Sequence, residues 1–207
     1  MGRWKHWIVA LAVVGMAQLT GVCGLAARAL EDGGAPSVRV RSEDRVLAGL
    51  ISRASLGSAT FRRLLTTIES TNGIVYVGVG RCSHGGVRAC LQMWMQAAGG
   101  DRFVRVRVDR QREASDLDVM ASIGHELQHA IEGLSDAKVV NGTGLYNFFR
   151  RYAPTDNNRF ETTAGVTIGN TIRDELQASE LSSVLTAQDP NTSHVRTTEP
   201  LVRSLIE

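Results

Sequence analysis

The apolar positions of this chain change period several times, and each change marks an element. Between Ser42 and Ser55, Val46, Leu47, Leu50 and Ile51 return every three or four residues, the spacing of one helix face. Ser58 opens a second such run with Phe61, Leu64, Leu65 and Ile68, which Asn72-Gly73 ends. A β-branched stretch, Ile74 to Val79, then reads as a strand. From Ala89 to Met95 the chain alternates Leu91, Met93 and Met95 against Cys90, Gln92 and Trp94, and after a Gly99-Gly100 turn it alternates again from Phe103 to Val108. Helical spacing resumes at Ser115-Asp116. Met120, Ile123, Leu127, Ala130, Ile131 and Leu134 form one apolar stripe, and Gly133 lies near the end of that helix. A short aromatic helix follows over Gly144–Tyr152. In the last helix Glu161, Ala164 or Gly165, Ile168, Ile172 and Leu176 share a face. Residues 180–207, rich in Ser and Thr, read as a loose surface tail. The order predicts an α+β fold, a small antiparallel meander of three strands packed on helices.

Residues 1–29 do not fit that pattern. Arg3, Lys5 and His6 precede a short apolar run, Trp7 to Ala17, and Ala27-Arg28-Ala29 has the small-residue form of a signal-peptidase site. The run is too short to span a bilayer as a mature helix. The expectation is an exported protein, periplasmic or extracellular, with residues 30–207 as one domain that is not membrane-embedded. A retained anchor or lipidation at Cys23 are the alternatives. Cleavage also changes the charge. The chain has 23 basic and 21 acidic residues, and loss of Arg3, Lys5 and Arg28 leaves 20 against 21. No basic face for nucleic acid follows, and no nucleic-acid motif is present. Of three cysteines, Cys82 and Cys90 remain, an even pair suited to a disulfide in an oxidising compartment. His84, between them, reads as a loop residue. Asn141-Gly-Thr and Asn191-Thr-Ser are glycosylation sequons, relevant only to a eukaryotic secretory route.

The chemistry is concentrated in Ser122 to Gly133, SIGHELQHAIEG. The chain has only five histidines, and His125 and His129 stand four residues apart. On a helix that spacing puts both imidazoles on one face, one turn apart, able to grip one ion. Glu126 lies beside them, within reach of a water on that ion. His125 and His129 fall opposite the apolar stripe, with Asp118, Ser122, Glu132 and Asp136 around them, which predicts a polar front on an otherwise apolar helix. Two solvated histidines on an ordinary amphipathic helix is the plainer reading of the same residues.

GHELQHA resembles the active-site helix of the zincin metallopeptidases. Zincins need a third protein ligand. The metzincin pattern puts Gly and His three and six residues after the second His, where this chain has Glu132 and Ser135. The aspzincin pattern needs a downstream Asp after Gly-Thr, where Gly142-Thr143 is followed by Gly144, Leu145 and Tyr146. The gluzincin pattern takes a Glu from a later helix, and Glu161 in RFETTAGVTIGNTIRDEL matches it. Glu132 is the competing third ligand, ranked as a supporting or surface residue.

The resemblance implies a zincin-like fold in which an edge strand borders the cleft and holds a peptide or protein substrate. It implies Zn²⁺ on His125, His129 and Glu161, and Glu126 as general base. Gluzincins often carry an Asp one turn after the ligand Glu to brace a ligand His. Here that position is Gly165, so the brace is expected from Asp118, Asp136 or a backbone carbonyl. Tyr146, Arg151 and Tyr152 are candidates to polarise a substrate carbonyl, although Phe148, Phe149 and Tyr152 also suit a purely core role. The alternative function is a zinc-binding zincin scaffold without peptidase activity, acting as a binding or regulatory module.

Overall fold

The structure, a computed structural model, describes residues 39–82, 86–110, 115–153, 155–156 and 159–188. The proposed signal segment and leader, His84, Asn191 and the chain beyond residue 188 lie outside these. The elements run β1 (Val40–Arg41), α1 (Arg45–Gly57), α2 (Ala59–Glu69), β2 (Gly73–Val79), β3 (Ala89–Ala98), β4 (Asp101–Val108), α3 (Asp116–Ser135), α4 (Gly142–Tyr152), β5 (Thr155–Asp156), β6 (Arg159–Phe160) and α5 (Thr163–Gln188). The fold is α+β. Among the described residues no helix is long and apolar enough to cross a membrane.

The four-stranded sheet has the order β1-β2-β4-β3 and is mixed, not an antiparallel meander. Gly99 and Gly100, both at positive φ, close a tight hairpin between β3 and β4. The correction concerns β2, which pairs with β4 in parallel and not with β3. The connection after Val79 leaves one strand position open, and β4 returns into it. The burial of β4 accounts for its central place. Val104, Val106 and Val108 are completely buried, while Phe103, Arg105 and Arg107 face the other way. Register pairs Val75 with Val104 and Val77 with Val106, so one sheet face is a continuous apolar layer. Helices α1, α2 and α3 contact the sheet, and α5 packs on α3. On the opposite face Tyr76 stacks on Phe103 and the Arg105 guanidinium lies 3.9 Å over the Trp94 ring.

Helix α3 is enclosed on more than its apolar stripe. Met120, Ile123, Leu127, Ala130 and Leu134 are buried as expected, but so are Gly124, Glu126, His129 and Gly133. The expected polar front is a packing face, because α5 and β3 cover it. Ser115 caps the N-terminus of α3 by accepting from the Asp118 amide. Its C-terminus is held by Arg102, at the start of β4. This buried guanidinium donates to the carbonyls of Leu134 (2.6 Å), Asp136 (2.9 Å) and Val139 (3.1 Å), and to Asn72 Oδ1 (2.8 Å). The orphaned carbonyls at the helix end thus gain a charged donor, and the positive charge suits the helix dipole there.

Helix α5 is fastened to α2 by Glu175, whose carboxylate accepts from Ser58 Oγ (2.5 Å), the Thr60 amide (2.9 Å) and Thr60 Oγ1 (2.8 Å). Two boundaries differ from expectation. The helix begins at Thr163, after Glu161, because Thr162 Oγ1 accepts from the Gly165 amide and acts as the cap. It also continues to Gln188, so residues 180–188 are helical, with Leu181, Val184 and Leu185 exposed. Cys82 and Cys90 form the expected disulfide, tying the end of β2 to the start of β3.

Replacing Arg102 with Leu should remove the charged donor from the Leu134, Asp136 and Val139 carbonyls, of which Asp136 keeps the Val139 amide, and lower stability by about 3 kcal/mol. Chemical denaturation of the purified variant measures this. A loss below about 0.5 kcal/mol would mean that water replaces the guanidinium without cost.

Candidate metal centre

His125 and His129 project from successive turns of α3 with ring centroids 4.7 Å apart and rings nearly perpendicular. Their Nε2 atoms lie 3.0 Å from each other. Glu161 Oε1 completes a triangle, 3.1 Å from His125 Nε2 and 3.3 Å from His129 Nε2. These three donors could hold a metal ion. Ligand atoms about 2.0–2.1 Å from a tetrahedral zinc stand about 3.3 Å from one another, so the observed triangle has nearly the size such an ion needs.

The approach of α5 makes this convergence possible. A Cβ on Gly165 would lie 2.8 Å from His129 Cε1 and 2.9 Å from its Nε2, and one on Gly169 would lie 3.3 Å from His125 Cβ. Gly165 is buried and Ala164 exposed, which resolves the two alternatives for the inward position. From the other helix, Gly124 admits Ile172, whose Cδ1 would sit 2.3 Å from an added Cβ. Glu161 is not on the helix but two residues ahead of it, on the short link from β6, with its side chain half exposed.

The brace for His129 is Glu132, one turn on along the same helix. Glu132 Oε2 lies 3.0 Å from His129 Nδ1, and its Oε1 accepts from Thr162 Oγ1 (2.9 Å) and Gln128 Nε2 (3.2 Å). A carboxylate only accepts, so Nδ1 carries a proton and Nε2 is the nitrogen that faces the centre, its lone pair free for an ion once its own proton is lost. Asp118 and Asp136 do not serve here. Asp118 pairs with Arg173 (3.2 Å), and Asp136 accepts from the Lys138 amide. Thr162, which sequence reasoning passed over, joins the cap of α5 to this brace. Its signal was a Thr immediately before a helical run.

Glu126 is buried against β3, and its Oε2 accepts from the Leu91 amide at 2.6 Å. Its Oε1 lies 4.0 Å from His125 Nε2. Burial raises its pKa above the ordinary carboxylate value, the two histidines and the Leu91 amide offsetting part of the rise. For His129 burial alone lowers the pKa, but hydrogen bonds to Glu132 and Glu161 outweigh it and push the value up to about 10. Burial likewise works against ionised Glu161, and hydrogen bonds with His125 and His129 prevail, bringing it down to about 2.

The donors open onto a cleft of about 690 Å³ bordered by Leu91, Met93, Tyr146, Phe149, Phe160 and the disulfide. Of the three residues considered for carbonyl polarisation, Tyr146 lines this cleft. Arg151 and Tyr152 do not, and Tyr152 is exposed rather than part of the core. Phe149 is buried, with its ring edge-on to His129 at 5.6 Å. No protein-family profile, curated protein or solved structure matches the chain.

Glu132→Gln should weaken metal affinity by about 10- to 100-fold without unfolding the chain, measured by competition with a chromophoric chelator. An unchanged affinity would show that the brace does not matter to binding. A proton and a cation compete for the same nitrogen on His129. Zinc titrated into metal-free protein at neutral pH should therefore release about one proton from this residue, and its contribution should make affinity rise with pH below about 10. Calorimetry in buffers of different ionisation enthalpy counts the proton, and no buffer dependence would contradict the assignment.

Proposed function

We propose that the chain is an exported zinc-dependent metallopeptidase with zinc on His125, His129 and Glu161. The observation that carries the reading is the convergence of two imidazole nitrogens and a carboxylate oxygen, from separate elements, directly beside a buried glutamate. Two nitrogens and one oxygen from protein leave an open position on a tetrahedral ion, the composition of catalytic zinc sites. Export is supported by the disulfide together with the signal-like first 29 residues.

A zinc ion bound there supplies Lewis acidity towards a carbonyl oxygen and makes a water acidic near neutral pH. The remaining work belongs to the side chains. Leu91 fixes Glu126 through Oε2, which leaves Oε1 on the side of His125 to take a proton from the attacking water. The raised pKa of Glu126 suits a group that accepts a proton and then returns it to the leaving amine. Glu132 keeps His129 in the tautomer whose Nε2 is a ligand. Tyr146, at the cleft wall, is a side chain that can donate to a substrate carbonyl.

The metal content of the purified chain and of two variants tests this. Wild type and Glu126→Gln should each hold about one zinc, with peptide hydrolysis lowered about 10²- to 10⁴-fold in the variant. Glu161→Ala should lose the zinc. Zinc retained in all three with no hydrolysis by wild type would favour a zinc-binding module instead, and no zinc in any would remove the metal reading.

A further inference from the structure

The cleft runs along β3, the edge strand of the sheet, and the backbone groups still available on that edge define what can be bound. The Asp109 amide donates to the Arg88 carbonyl, so in this antiparallel pair Cys90 also faces β4, while Ala89 and Leu91 face outward. The outward amide of Leu91 is already given to Glu126. Beyond it the edge is covered. Gln96 makes an antiparallel bridge with Asn141, and a Cβ on Gly142 would lie 2.6 Å from the Met93 carbonyl oxygen and 3.5 Å from Trp94 Cα. The N-terminus of α4 thus occupies the strand edge from Met93 to Gln96. Behind that closure stands an aromatic wall, with Phe149 stacked on Phe160 at 6.0 Å and Tyr146 edge-on to Phe160 at 5.2 Å.

Among the described residues of β3, an extended chain laid on this edge finds the outward groups of Ala89 and the Leu91 carbonyl. That is about 7 Å of strand, one step of pairing. Glu126 lies at the closed end of this short track, against Leu91, with the metal ligands beside it, and Val87 precedes Ala89 at the other end. A polypeptide bound through its interior would have to continue past Met93, through the backbone of Asn141 and Gly142.

We infer that this centre acts on short peptides or on the last few residues of a chain, and not on the interior of a long polypeptide. The substrate end lies against Met93, Tyr146, Phe149 and Phe160, which form an apolar surface, and the rest of the substrate leaves past Ala89 and Val87. This inference rests on the metallopeptidase reading, and it names the substrate class of that same site.

The test uses the zinc-loaded full chain and one peptide series about 3 to about 20 residues long, with free ends or with both ends blocked, plus a reduced and alkylated protein. Mass spectrometry locates each cut, and Glu126→Gln is run in parallel. The expected result is hydrolysis of the short peptides and trimming within about three residues of an end in the longer ones, with cuts in the interior of the doubly blocked long peptide and the protein at least about 100-fold slower. Interior cuts at rates comparable to the short peptides would overturn the inference and leave the metallopeptidase reading standing. No cut in any peptide beyond that of Glu126→Gln, with zinc bound, would overturn both.

Discussion

Two helices have to meet almost backbone to backbone for this centre to exist. The imidazoles of α3 project towards α5, and any side chain at Gly165 would occupy the space of the His129 ring. A Cβ at Gly169 would press on His125 at 3.3 Å, and Gly124 admits Ile172 in return. A glycine inside a helix costs about 0.5–1 kcal/mol relative to alanine, so three of them along one contact oppose helix stability while permitting the approach. The close contact in turn brings the link before α5 over the histidines, and with it Glu161. The donor triangle and the Thr162–Glu132 hydrogen bond both depend on that one interhelical distance.

Polar anchors then hold α3 against the sheet. Arg102 grips the carbonyls at its C-terminus from β4, and Glu126 reaches the Leu91 amide of β3 from its middle. Both anchors involve a buried group that would be costly without its partner. Their effect is to set the histidines relative to the strand beside the cleft before any ligand arrives. Preorganisation of this kind is what a reacting centre requires, since groups that must reorient during reaction lose most of their electrostatic advantage.

The helices and the histidine pair were legible because each depends on local spacing. The stripe from Met120 to Leu134, the cap at Ser115 and the i, i+4 histidines are properties of one continuous segment. Sheet order was not legible, because β4 alternates equally well beside β3 or between β3 and β2, and only the burial of both its neighbours decides. The buried front of α3 was missed for a related reason: His129 and Glu126 look solvated until α5 is placed over the one and β3 over the other. Glu161 was found by its distance along the chain and its chemical type, yet assigned to the helix, since the periodicity of Ile168, Ile172 and Leu176 extends backwards through it. Thr162 ends that extension by offering its hydroxyl to the Gly165 amide.

The position of Glu161 ahead of its helix makes the donor triangle mechanically uneven. The two imidazoles belong to a helix clamped to the sheet, and one of them is buried and braced. The carboxylate sits on a short link with half of its side chain in solvent. Ions of different radius would therefore be accommodated by displacement of one corner, while the nitrogen–nitrogen separation stays fixed. For any ion held there, the softness and number of the donors would matter more than a rigid cage, and the carboxylate would be the corner that gives.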